Sequence, residues 1–412
     1  MVEFKENNFA DYRTSIAVYG LMLLIVIYIG RIQELIPGLN NFSIGKIVFV
    51  LSILLVIVSP RDRNNSLSGI IQIKYIVGIF ICSVLSIPFS YWPGGSLNFV
   101  TQTFFKTLIF FFLIATVVKN ITEVHKVVWA ITCSVFALSL TVLISGGDGR
   151  LSASSTYDPN DLAFVLVTFM PIIYYFMKQK FGIEKIVLVT VLIMMLIATL
   201  ATESRGGITG LVVISAIIFK KQGNYLKQSI LPLIVIIVVV NLYASNTFWD
   251  RMSTMLNPKE DYNMSAGGGR VEIWKSGLKM MIRRPLNGVG INAFEFAEGA
   301  THTDLTTGIS GKWNAAHNSF IQIGAELGLI GLFLFIKLLS SSIIAIRDCR
   351  ANPGGGMQLW LLDGIEVAIY GYITTGFFLS QAYSSIFYML IALAVIIQKL
   401  EKQAISTSPI KT

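Results

Sequence analysis

The sequence predicts an all-α polytopic membrane protein with about twelve transmembrane helices and a large, partly helical external loop before the tenth. Three observations carry this reading. Apolar residues make up 54% of the 412 residues and charged ones only 13%, so most of the chain has no polar face to turn to water. Apolar blocks of roughly 15 to 20 residues, the length that a bilayer core requires, recur throughout. Short basic clusters separate alternate blocks, as expected of loops kept in the cytoplasm.

The apolar blocks place spans near 15–30, 44–59, 74–90, 99–118, 127–145, 161–177, 185–202, 207–219, 229–245, 319–346, 361–378 and 380–398. The first block follows a start of mixed charge and precedes no small-residue cleavage site, so it reads as a retained span. Arg61, Arg63 and Lys74, Lys119 and Lys126, Lys178, Lys180 and Lys185, Lys220, Lys221 and Lys227, Arg347 and Arg350, and Lys399 and Lys402 all fall on one side. That side is the cytoplasm by the positive-inside rule, which puts both termini inside. Arg31, Arg150 and Arg205 fall on the other. The eighth span is short and the last two are joined by only Leu379 to Ala382, so either is a candidate for a re-entrant segment.

The chain divides into 1–245 with nine spans, 246–316 as the external loop, 317–402 with three spans, and a disordered tail over 403–412. The net charge of +9 does not indicate nucleic acid, because the basic residues are scattered between apolar blocks without a clustered face. Cys82 and Cys133 lie in apolar blocks and Cys349 in a basic loop, so they read as packing residues rather than an external disulfide. No repeat or low-complexity tract is present.

The 246–316 segment is too long and polar to be a plain connector. Ile273, Trp274, Leu278, Met281 and Ile282 recur at helical spacing, which predicts an amphipathic helix from about Arg270 to Arg284, stopped by Pro285. Gly288-Val289-Gly290 then supplies a turn before Phe294 and Phe296. Arg283 and Arg284 read as contacts to anionic headgroups.

Three residues are candidates for chemistry. Arg205, in Glu203-Ser204-Arg205-Gly206-Gly207, is held at the membrane boundary with no loop to carry it into solvent; it is either functional or snorkelling to headgroups. Its paired glycines allow close approach of a phosphate or sugar to the backbone. Arg270 follows Gly267-Gly268-Gly269 and opens a helix, so first-turn N–H groups and the guanidinium converge on one anion; otherwise it is a surface arginine on a glycine linker. With Arg205 on the same face, the pair forms a diphosphate clamp.

His317 precedes a long span, with Asn318 and Ser319 as capping residues. The positive end of a helix disfavours its cationic form and keeps it able to accept a proton. Gly324, Gly328 and Gly331 lie on nearly the same helical face, either for close helix packing or as a groove for a lipid chain. Glu326 points to the opposite face and is buried. Asp158 or Asn160 caps the sixth span, with sugar contact a second role for Asn160, as for Asn318. No HExxH or CxxC spacing accompanies His125 or His302, so no metal is expected; Glu295, Glu298 and Asp304 would be the only ligands.

Together these segments resemble the signature of bacterial O-antigen ligases and of the related O-antigen polymerases and O-linked oligosaccharyltransferases. His317-Asn318, nine intervening residues and Gly328-Leu329-Ile330-Gly331 are similar to that superfamily's histidine motif. Ser204-Arg205-Gly206-Gly207, Arg270 to Trp274 and Pro285-Leu286-Asn287-Gly288-Val289-Gly290 are similar to its other recurrent segments. The resemblance implies a membrane glycosyltransferase that moves an oligo- or polysaccharide from an undecaprenyl-diphosphate carrier to an acceptor hydroxyl, at the outer face of the cytoplasmic (inner) membrane, with neither cofactor nor metal. It further implies His317 as the base and Arg205 and Arg270 as the holders of the diphosphate.

The intact histidine motif leans toward a ligase, which passes a finished chain to lipid A core in lipopolysaccharide biosynthesis. A polymerase passes the growing chain to another lipid-linked repeat, and an oligosaccharyltransferase passes it to a protein. A lipid-linked glycan flippase is the rival from another class; it should show internal repeats or charges at the midplane of several spans. Here Lys106 and Glu326 are the exceptions to a one-sided distribution, which favours an enzyme.

Overall fold

A computed structural model of the protein describes residues 15–36, 38, 42–59, 67–145, 150–153, 156–222, 246–253, 269–301, 313–351 and 358–407. Its elements, among the described residues, are all helical. They are α1 (Ile16–Tyr28), α2 (Ile32–Leu35), α3 (Ile44–Val58), α4 (Ile71–Ser86, extended by a 3-10 turn Ile87–Phe89), α5 (Pro93–Val117), α6 (Ile121–Ser145), α7 (Pro159–Met177) and α8 (Gly182–Ala201). They continue with α9 (Arg205–Lys221), α10 (Asn246–Ser253), α11 (Arg270–Arg283), α12 (Phe294–Thr301), α13 (Ser319–Ala351), α14 (Leu359–Gly376) and α15 (Ser385–Thr407).

Six of these, the extended α4, α5, α6, α7, α8 and α13, are long and apolar enough to cross a bilayer; α1 and α3 are shorter apolar helices. Expected spans within the described residues overlap helices, most with ends displaced by a few residues; the last helix, Ser385–Thr407, departs furthest from its expected span. The ninth expected span, 229–245, lies outside the described residues, as do Gly267, Gly268, His302 and Asp304.

The helix ends are explained locally. Asp158 caps α7, its Oδ1 accepting from the Asn160 and Asp161 N–H groups at 2.7 and 2.8 Å, and Pro159 occupies the first helical position, where its missing N–H costs nothing. Ser204 caps α9 by accepting from the Gly207 N–H at 3.2 Å. α11 spans the predicted amphipathic segment and stops before Pro285. α7 is largely enclosed, with Phe164, Phe169 and Phe176 fully buried. Neighbouring α9 and α14 approach its backbone at glycines: a Cβ on Gly364 would sit 3.1 Å from the Ile172 Cα, and one on Gly210 3.0 Å from the Val167 side chain.

Two expectations are corrected. α15 runs to Thr407, past the point where the sequence predicts a disordered tail; buried Lys399 binds the Ala115 and Val118 carbonyls at the end of α5, and Lys402 donates to the Gly69 carbonyl at 3.2 Å. Cys349 is not in a loop but in the last turn of α13, buried and facing Glu401.

α13 is broken rather than continuous. Gly328 has φ 72° and ψ −172°, a conformation that L side chains rarely adopt. The segment after α11 docks into this break. The Val289 N–H donates to the Ala325 carbonyl (2.8 Å), Gly290 N–H to the Glu326 carbonyl (3.0 Å), and Leu329 N–H to the Pro285 carbonyl (2.7 Å). Backbone groups that an unbroken helix would pair internally are thus satisfied from outside it. Contact is close: a Cβ on Gly288 (φ 61°) would lie 2.3 Å from the Glu326 carbonyl carbon. On its other side the segment is tied to the α4–α5 corner, through Tyr91 N–H to the Val289 carbonyl (2.9 Å) and Ser96 Oγ to the Ile291 carbonyl (2.6 Å).

Candidate active site

Four helix N-termini meet around one turn, residues 377–384 between α14 and α15. The α7 end reaches it through Gln381, whose Nε2 donates to Asp161 at 2.7 Å. The α9 end reaches it through Gly206, which packs against Phe378. The α13 end is joined by Ser319 Oγ donating to the Leu379 carbonyl (2.7 Å) and by the His317 N–H donating to Ser380 Oγ (2.9 Å). The α11 end is joined by Trp274, whose ring meets Phe377 edge-on at 5.3 Å and whose Nε1 donates to the Ala316 carbonyl at 3.1 Å. Four N-terminal partial positive charges therefore gather at one place.

His317 sits in the middle of this arrangement, half-buried and with φ 47°. A non-glycine residue in the left-handed region is uncommon, and histidine is among those that tolerate it. It does not cap α13. Asn318 does, its Oδ1 accepting from the Phe320 and Ile321 N–H groups at 2.9 and 3.0 Å. Burial lowers the His317 pKa from the ordinary imidazole value, the Arg270 charge lowers it further, and Asp158 opposes both. The ring is thereby held in its neutral, proton-accepting form.

Arg205 and Arg270 are the first residues of α9 and α11, and both are half-buried. α7, α9 and α13 have side-chain caps, whereas α11 has Gly269 at its cap position and no side-chain hydrogen bond there. Asn160 joins the α7 and α9 ends: its Oδ1 accepts from Ser204 Oγ (3.0 Å) and from Arg150 Nη2 (2.7 Å). Arg205, Arg270, His317 and Asn160 thus belong to one cluster, and Asn318 supports it from beneath.

Three sequence-based roles are replaced. The paired glycines after Arg205 serve packing, since a Cβ on Gly207 would meet the Ala163 Cβ at 2.5 Å. The Gly324–Gly328–Gly331 face does not form a lipid groove. Its geometry presumes a continuous helix, but the chain breaks at Gly328; Met281 covers Gly324, and the Pro285–Leu286 backbone covers Gly328. Arg284 is tied inward, with Nη1 donating to the Phe89 carbonyl at 2.6 Å and its guanidinium over the Tyr91 ring at 4.4 Å.

Sequence reasoning missed Ser380, Gln381 and the anchoring role of Trp274. A serine and a glutamine in a predicted tight turn between spans were the available signal. Among the described residues no group of three metal-capable side chains occurs. Glu298 is buried and accepts from the Asn314 N–H at 3.4 Å.

At the opposite ends of the same helices lies a second charged cluster. Lys221 at the end of α9 contacts Asp363 (2.8 Å) and Glu366 (2.7 Å) of α14, while Arg350 of α13 contacts the same two at 2.6 and 2.8 Å and Arg347 reaches Glu366 at 3.0 Å. Glu366, only 3% exposed, is the shared anion.

Residues 190–336 match the family model described as O-antigen ligase; the matched segment holds Arg205, Arg270, His317 and the break at Gly328. The chain is also similar to an uncharacterised protein of Haemophilus influenzae (strain Rd), 21% identical over 252 residues, 58% of this chain and 63% of that protein. The chain thus spans less than two thirds of the length of the curated relative it matches. Within this chain, residues 190–336 are thus similar to an O-antigen ligase domain.

Proposed function

We propose that the His317 end is the active site of an O-antigen ligase-like transferase, which passes an oligo- or polysaccharide from undecaprenyl diphosphate to an acceptor hydroxyl at the outer face of the cytoplasmic membrane. The observation that carries this is the convergence of four helix N-termini, with Arg205 and Arg270 in their first turns, around a histidine held neutral. A departing diphosphate needs positive charge more than it needs a proton, and preorganised donors supply it without reorganisation. His317 takes the proton of the acceptor hydroxyl as its oxygen bonds to the anomeric carbon. The bond from that carbon to the diphosphate oxygen breaks, and the electron pair leaves with undecaprenyl diphosphate. Arg205 and Arg270 bind the diphosphate, Asn160 fixes the Ser204–Arg205 corner, and Asn318 keeps α13 capped beneath His317. On this reading the Lys221 cluster faces the cytoplasm with both termini.

The test is the product profile of purified protein given undecaprenyl-diphosphate oligosaccharide, with and without lipid A core. A single acceptor-dependent band supports the ligase-like reading. A ladder from donor alone makes the protein a polymerase, and movement of intact donor across the bilayer without cleavage makes it a flippase.

A further inference from the structure

The proposed reaction leaves one cavity without a task. It holds about 120 Å3, several times the roughly 15 Å3 that a single water needs by the same measure. Aromatic rings wall it: Trp92 stacks on Phe296 at 5.8 Å, and Phe296 meets Trp313 edge-on at 4.7 Å. Trp92 and Trp313 are 47% and 52% exposed, so ring surface remains for a ligand to cover. The polar lining includes Asn292, Glu295 and Glu326.

Glu326 is the unusual member. It is 2% exposed; the Asn292 and Phe294 backbone and the Tyr383 side chain hold its carboxyl, yet its Oε2 makes no hydrogen bond. Buried carboxyl oxygens are ordinarily given donors, because leaving one without a partner is costly. The docking that breaks α13 fixes this residue in place, since its own carbonyl accepts from Gly290 and a Cβ on Gly288 would strike its backbone. The cavity also adjoins the catalytic histidine: Ala316 and Ser380 line it, and Ser380 Oγ accepts the His317 N–H.

Aromatic faces beside carboxylate and amide acceptors suit a pyranose, whose C–H face is apolar and whose rim bears donors. We infer that this cavity is a saccharide subsite for one neutral sugar residue of the transferred glycan or its acceptor, with the Glu326 carboxyl hydrogen-bonding a ring hydroxyl. The choice of a glycan as ligand rests on the transferase reading above.

Saturation-transfer NMR of the full chain in nanodiscs tests this, using the methyl glycosides of glucose, galactose and N-acetylglucosamine. All three should be saturated. Glu326→Leu should weaken every glycoside at least fivefold, and so should Trp92→Ala, at an exposed position. His317→Ala should retain binding. Failure of all three glycosides to bind, or binding unchanged in both Glu326→Leu and Trp92→Ala, overturns the subsite. Glycoside binding in a protein that cleaves no lipid-linked donor would instead overturn the transferase reading and leave the subsite standing.

Discussion

The two ends of α9 carry charge for different purposes. At the Lys221 end, three cations from two helices surround Asp363 and Glu366 in ion pairs of 3.0 Å or less. Such a cluster offsets most of its own charge and ties α9, α13 and α14 together. At the Arg205 end, helix N-termini, Arg205 and Arg270 converge on a histidine whose pKa is lowered by burial and by Arg270, with Asp158 opposing both. The first cluster is built of direct ion pairs between helices, whereas the second gathers helix starts and their first-turn arginines around an imidazole.

Substitutions at the two ends should therefore separate activity from stability. The largest effect belongs to His317→Ala, which should lower transfer by about 10²–10⁴-fold while the protein stays folded and membrane-inserted; a radiolabelled-donor assay beside a thermal melt measures both. Next, Arg205→Gln and Arg270→Gln should each cost about 10²–10³-fold in turnover, as expected when a donor to a developing anion is removed.

Glu366→Gln should do the reverse. Breaking a buried ion pair leaves its cations uncompensated and costs roughly 3 kcal/mol, which appears as a lowered Tm with turnover per folded molecule unchanged. Gly288→Ala tests the docking that joins the external segment to the broken helix. Its left-handed φ alone costs an alanine about 1–3 kcal/mol, and the clash with Glu326 adds to this. The melt should shift, and transfer should fall with the displaced segment.

The smallest effect is a shift in pH dependence. His317 has a folded pKa below the ordinary value of about 6.5, so its base form persists below that pH and the acid limb of kcat/KM lies beneath it. Removing the positive neighbour in Arg270→Gln should move the limb up, and removing the anion in Asp158→Asn should move it down. The same depression means that the unfolded chain takes the proton first. The contribution of this group to stability is thus lost as pH falls from about 6.5 toward the folded pKa.

Much of this was legible in the sequence because it depends on local chemistry. Apolar block length gives the helices, Asp158-Pro159 and Ser204 announce helix starts, and Pro285 ends α11 where the pattern says it should. The histidine motif and the two arginines were legible as types at the head of helices. What a linear reading does not contain is the break at Gly328. Helical periodicity assumes one continuous axis, so it aligned Gly324, Gly328 and Gly331 as a groove, whereas a backbone segment about forty residues upstream fills that place. Ser380 and Gln381 were hidden for a related reason: a turn between two spans shows no pattern of its own, and only packing reveals that four helix starts meet there.

The most direct test of the account is release of undecaprenyl diphosphate from an oligosaccharide-loaded carrier by purified protein, compared with His317→Ala and Glu366→Gln at equal folded concentration. Acceptor-dependent release by the wild type and by Glu366→Gln, but not by His317→Ala, is the predicted result. Equal release by the histidine variant, or no release by any of the three, would contradict the assignment of chemistry to the His317 end.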